Sequence, residues 1–298
     1  VHKFIGMFAF VIYHKEKETI HIFRDRAGVK PLFYYYNNGL LLFGSELKSF
    51  HQHPNFEKRI NQDNLALFLQ YNYVPTPYSI FDNTHKLDPG SYIKIKLKKQ
   101  TFEIHKYWSI ESVYNQPKLN ISYSEAKEEL EQLLINAFSY RMVSDVPVGM
   151  FLSGGYDSSA VAAILQANSK DRLKTFTIGY EENEFDESRY AKMVANHIGS
   201  EHYLKIIRPN DVGAVLQKLP FIYDEPFADN SVVPTILVSQ FAREHVKVAL
   251  SGDAGDEIFA GYNKYDRSIS LTNLPNVVQS FLSGTMNLIN PERIPVLK

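Results

Sequence analysis

Two short strings hold the densest chemistry in this sequence: Ser153-Gly154-Gly155-Tyr156-Asp157-Ser158-Ser159 and Ser251-Gly252-Asp253-Ala254-Gly255-Asp256-Glu257. In the first, adjacent glycines allow a tight turn that leaves backbone N–H groups uncovered. Three serine hydroxyls add donors, and the N-terminus of the Ala-rich helix that follows adds a partial positive charge. Together they make an anion cradle suited to pyrophosphate. No Gly-Lys-Ser/Thr follows, so this is not a Walker loop, and the third glycine of a dinucleotide fingerprint is absent. Ser-Gly-Gly alone would serve equally as a plain strand-to-helix turn capped by Asp157 and Ser158. The full string, between a strand and a helix, points to phosphate.

The second string follows the apolar run Val246–Leu250 and leads into Ile258-Phe259-Ala260-Gly261-Tyr262. Its three carboxylates, with Asp157, would repel a triphosphate unless a divalent cation intervened, and oxygen ligands beside phosphate favour Mg²⁺. Taken alone, it would be an acidic helix start favoured by the helix dipole. Ligands of open parallel sheets gather at the carboxyl ends of strands, which makes the two strings candidate walls of one crevice. A third stretch, Asp224-Glu225-Pro226-Phe227-Ala228-Asp229, could hold a substrate or a basic group, or be a cap and turn. Glu225 is a catalytic candidate. Glu184, Asp186 and Glu187, with Arg189, read as a capped helix start.

The elements that must position these strings fall into two textures. From Phe4 to about Tyr107 the chain reads as β-rich, with Phe8–Tyr13 and Ile20–Phe23 flanking a charged turn. A hairpin is expected at Pro31–Tyr36 and Leu40–Phe43 around Asn37-Asn38-Gly39. A helix is expected near Gln62–Leu69, and another antiparallel pair at Ser91–Leu97 and Phe102–Tyr107. Periodicity is lost over 109–121, which is read as a linker. Ser122 and Glu125 then form a capping-box pattern opening a helix to about Met142. Beyond it, strands expected at Val148–Leu152, Thr175–Ile178, His202–Ile207 and Val246–Leu250 alternate with helical stretches. The expected helices are Ser158–Ala167, Glu187–His197, Val212–Leu219 and Pro234–Glu244. That alternation predicts βαβ units on a parallel sheet with helices on both faces.

Composition narrows the partners. The 298 residues suffice for two domains, and 44% hydrophobic with 22% charged content is that of an ordinary globular protein. A net charge of −1 gives no electrostatic case for nucleic acid or an anionic membrane. Apolar runs are strand-sized, far short of a bilayer span. With no cysteine there is no disulfide, thiolate metal site or Cys nucleophile, which fits a cytoplasmic setting.

The string Ser153–Ser159 resembles the pyrophosphate signature of N-type ATP pyrophosphatases. With Asp145-Val146-Pro147-Val148-Gly149 before it and Leu250–Tyr262 after it, the chain resembles glutamine-dependent asparagine synthetases. Gly6–Phe10, Arg24–Leu32 and Ser45-Glu46-Leu47-Lys48 resemble the later part of that family's glutaminase domain. The resemblance implies a β-rich, partial Ntn-type glutaminase domain over 1–108, then an α/β parallel-sheet ATP-pyrophosphatase (adenine nucleotide alpha-hydrolase-like) domain over 122–298. It implies ATP and Mg²⁺, a carboxylate substrate (aspartate by default) and ammonia derived from glutamine; the oligomeric state stays open, a homodimer among the options. By position, Leu152, Ile178, Ser251 and Gly252 would contact the adenosine, while Ser153, Gly154, Gly155, Asp157, Ser158 and Ser159 would surround the pyrophosphate. Asp157 and Asp256 would bind Mg²⁺. Asp253 stands where well-known bacterial members carry Glu, a carboxylate tied to forming the intermediate or to its attack by ammonia. Tyr156 stands where Leu is usual and, with the Asp224–Asp229 loop, is where acceptor discrimination is expected. Family glutaminases use an N-terminal Cys, whereas this chain begins at Val1 and has none. A piece of a longer protein is therefore expected, unable as given to hydrolyse glutamine by that route.

Overall fold

The computed structural model describes residues 1–99, 101–181, 186–262, 265, 275 and 278–280. The chain forms two compact units: Val1–Ala126 with Pro209–Leu237, and Lys127–Arg208 with the chain from Val238.

The first unit is built on antiparallel sheets. Strands β1 (Ala9–His14), β2 (Thr19–Arg24), β6 (Ser91–Lys96) and β7 (Thr101–Lys106) lie in the order β1-β2-β6-β7. A second sheet has the order β4-β3-β5, from β3 (Phe33–Asn37), β4 (Leu40–Gly44) and β5 (Thr84–Lys86). Asn38 and Gly39 sit at φ 48° and 78° between β3 and β4, the paired positive φ that a two-residue hairpin turn requires. Ile22, Ile93 and Ile95 of the first sheet pack with Tyr34 of the second. The opposite face of β3 presents Tyr35 to Phe50, Phe56 and Phe81, and to Leu65 and Phe68 of α1 (Gln62–Tyr71). The Arg24–Leu32 string is structural: Asp25, 1% exposed, accepts N–H bonds from Phe8, Val29 and Lys30.

The linker expected over 109–121 contains a short helix, α2 (Ile110–Tyr114), whose N-terminal amide at Ser112 is capped by the Ser109 hydroxyl. The capping box forms as expected at α3 (Tyr123–Met142): Ser122 donates from its N–H to Glu125, and Glu125 returns its N–H to the Ser122 hydroxyl.

The second unit carries a parallel sheet. Strands β8 (Val148–Phe151), β9 (Lys174–Tyr180), β10 (Glu201–Ile207) and β11 (Val248–Leu250) lie in the order β10-β9-β8-β11. Helices cover both faces, because successive strand residues point to opposite sides. Met150 and Leu152 pack with α4 (Tyr156–Ala167) and α5 (Ser188–Ile198) through Val161, Leu165, Ala191 and Ala195. Phe151, Phe176 and Tyr203 face Phe241 and Ala242 of α8 (Val232–Arg243). The expected helix over 212–219 forms as two pieces, α6 (Pro209–Leu216) and α7 (Leu219–Ile222), because Pro220 opens a new turn.

Candidate active site

Strand β8 feeds β9 on one side, and β11 adds on its other side, so the chain reverses direction across the sheet between β8 and β11. In open parallel sheets ligands gather at such a switch point, at the strands' carboxyl ends. The first string leaves β8 there and the second leaves β11, on parallel neighbours paired as Leu250 with Met150.

Glycines bring the strings into contact. A Cβ on Gly252 would stand 2.9 Å from the Ser158 N–H nitrogen at the start of α4, and one on Gly255 would overlap the Asp157 carboxylate. Gly154 sits at φ +86°, where a side chain would meet the Ala191 nitrogen at 2.5 Å, so the turn and the approach of α5 both require glycine. Ala254 and Ala260 flank α9 (Gly255–Phe259) in the left-handed region, at φ 73° and 57°. Non-glycine residues there store strain at the second string.

Hydroxyls organise the cradle. Ser153 and Ser158 share a hydrogen bond at 2.9 Å, and Gly155 donates its N–H to the Ser153 hydroxyl at 3.3 Å. Ser158 is buried and donates to the Gly155 carbonyl at 3.2 Å. The Ser159 hydroxyl is buried with no partner among the described residues. Ser153, Gly155 and Tyr156 are exposed, with Tyr156 97% exposed at the first position of α4.

The nucleotide candidates divide. Leu152 is 1% exposed in the core, its N–H given to the Phe176 carbonyl and its carbonyl taken by the Thr177 hydroxyl. Ile178 is half-buried on β9, and Ser251, exposed, donates to Asp253 at 2.8 Å. Asp157 and Asp256 are half-buried and Asp253 is exposed. Tyr262 donates to Glu257 at 2.7 Å, a bond that pushes its phenol up to about 12. Asp186 holds the start of α5: the Ser188 hydroxyl bonded to it lowers its carboxyl below the usual range. Glu184 lies outside the described residues.

The third stretch belongs to the first unit. Asp224 pairs with Lys48 and Glu225 with Lys86, while Asp229 accepts the Ser231 N–H at 2.7 Å. Of its open readings, the chain's own basic groups and a turn cap are what these carboxylates meet. Neither lysine was singled out for that pairing in the sequence, although Lys48 closes the Ser45–Lys48 string. Thr177 was also missed, since only the β8–β9 register brings it to Leu152.

The fit to a magnesium nucleotide rests on this geometry. Among the described residues no group of three or more His, Asp or Glu is placed to hold a metal by itself. Two carboxylates beside a phosphate cradle nonetheless suit an ion that takes its remaining ligands from phosphate oxygens and water. The orphaned Ser159 hydroxyl and the exposed backbone at Gly155 suit the phosphate.

Residues 129–293 match the asparagine synthase family, and residues 1–108 match a glutamine amidotransferase domain. A putative asparagine synthetase [glutamine-hydrolyzing] 2 of Methanocaldococcus jannaschii is 40% identical over 268 residues, covering 88% of this chain and 50% of that protein. Asparagine synthetase [glutamine-hydrolyzing] 1 of Bacillus subtilis is 34% identical over 270 residues, covering 90% of this chain and 42% of that protein. The chain spans about half the length of these relatives or less. A solved glutamine-dependent NAD+ synthetase of Acinetobacter baumannii, with 15% identity and a TM-score of 0.35, covers 86% of this chain and 61% of that one; likeness at that level carries no weight for the site.

Proposed function

The chain belongs to the asparagine synthase family, and on that premise we propose that it carries the ATP-using half of an amide-forming ligase. A carboxylate, aspartate by default, attacks the α-phosphate of ATP, releasing pyrophosphate and forming an acyl-adenylate. Ammonia then attacks the acyl carbon and AMP departs. Activation is needed because an unactivated carboxylate would have to expel oxide.

The observation that carries this reading is the meeting of the two strings at the switch point, with Gly252 against the N-terminus of α4 and Gly255 against Asp157. The N–H groups and hydroxyls of Ser153–Ser159 hold the pyrophosphate portion and stabilise charge as it leaves. Asp157 and Asp256 would hold Mg²⁺, which when bound neutralises phosphate charge. Asp253, which accepts the Ser251 hydroxyl, would assist formation or ammonolysis of the adenylate. The adenosine lies along Ile178, Ser251 and Gly252, since Leu152 is closed off in the core. The acceptor is read at Tyr156, beside the cradle. In this reading 1–108 is the later part of a glutaminase-type domain that supplies ammonia, 109–121 a linker and 122–298 the synthetase domain, working in the cytoplasm as a homodimer.

The test is AMP formation with MgATP, ammonia and aspartate, omitting each in turn. AMP with matching asparagine, dependent on every component and lost in Asp256→Asn, is the expected result. If aspartate gives no AMP while MgATP still raises the melting temperature, the acceptor is another carboxylate. If MgATP neither stabilises nor reacts, the reading fails.

A further inference from the structure

The third stretch commits its first two carboxylates to lysines far away in sequence. Glu225 Oε2 lies 2.6 Å from Lys86 Nζ, with the side chains 12% and 17% exposed, and Glu225 Oε1 accepts the Ile80 N–H at 2.7 Å. Lys86 donates a further bond to the Val74 carbonyl at 2.5 Å. Lys48 lies 3.3 Å from Asp224 and donates to the carbonyls of Phe221 and Ile222 at the end of α7. The Ala228 N–H reaches the carbonyl of Asn72, the left-handed cap of α1. All these groups lie within the first unit. Lys48 and Lys86 nevertheless fall in the amidotransferase match, and Phe221–Ala228 in the asparagine synthase match.

Burial gives the Lys86–Glu225 pair its meaning. Desolvation offsets much of the attraction in such a pair, so its net stabilisation is small, but each partner strongly constrains where the other lies. With both Glu225 oxygens engaged, the carboxylate is committed as an acceptor. In the second pair Lys48 is exposed while Asp224 is only 11% so, and the solvent around the lysine leaves that pair with more direction than energy.

We propose that Lys86 and Lys48 are positioning residues that latch Asp224–Ala228 onto the amino-terminal part of the first unit and so fix the course of the chain through Phe227–Asp229. Glu225 is the latch partner.

Peptide-resolved amide hydrogen exchange on Lys86→Met, Lys86→Arg and Glu225→Gln tests this. In Lys86→Met, exchange over 221–229 and at Ile80 rises about tenfold or more, while peptides from β8 and β9 stay within about twofold. Lys86→Arg restores the protection. Glu225→Gln, which keeps the volume and the acceptor for Ile80, moves it the same way to a smaller extent. Unchanged exchange over 221–229 overturns the latch, as does faster exchange throughout the chain, which would mark general destabilisation.

Discussion

Gly154 and Gly199 show how much of a glycine's importance is conformational and how much is space. Both have positive φ, +86° and +73°, but a side chain at Gly199 would meet nothing within 4 Å, whereas one at Gly154 would meet the backbone of Ala191 at 2.5 Å. Gly199→Ala is expected to lose about 1 kcal/mol from the left-handed conformation alone. Gly154→Ala should lose about 1–3 kcal/mol from conformation plus the cost of displacing α5, and with it the stabilisation by MgATP. Urea unfolding with and without MgATP measures both. Equal losses in the two variants would contradict the close approach.

At the scale of elements, the parallel sheet depends on one ring. Phe176, 0% exposed on β9, stacks on Tyr203 at 5.2 Å and meets Phe241 edge-on at 5.9 Å. Gly149 on β8 leaves the space its ring occupies. Phe176→Ala should lose about 3–5 kcal/mol in urea unfolding, because the rings around the vacated volume cannot all close on it. The longer elements were legible from pattern, and α3 begins where Ser122 and Glu125 said it would. Short elements were not. Strand β5 is three residues long and exists through its pairing with β3, and α2 is a five-residue turn held by Ser109. Neither is long enough to show a period.

For the whole molecule, pH offers a probe of both units. Burial pushes the imidazoles of His85, in the first unit, and His202, in the second, below their ordinary 6.5, with Lys192 adding to the effect at His202. A depressed folded value means the unfolded chain takes up protons first as pH falls, so stability is full above about 6.5 and declines below it. The melting temperature should therefore fall between pH 7 and 5.5. His202→Asn, which keeps a polar atom beside Thr175, should shallow that decline. A variant with the same slope as the parent would show that His202 stays accessible to protons in the folded state. Among the described residues no helix is long and apolar enough to cross a membrane.

The two strings could be picked out in the sequence because their features are local: adjacent glycines, hydroxyls and a helix start fall within seven residues, and strand-helix alternation implied the parallel sheet behind them. That the two strings meet was decided by strand order, since only the placement of β11 beside β8 sets Gly252 against α4. The fate of Asp224 and Glu225 was likewise tertiary. Their lysines lie far off in the chain, Ile80 is 145 residues from Glu225, and no local pattern encodes a pairing closed over so long a loop. Sequence shows what a carboxylate could do. Its neighbours in space decide which charge it meets, because desolvation and ion pairing depend on distance through the fold and not along the chain.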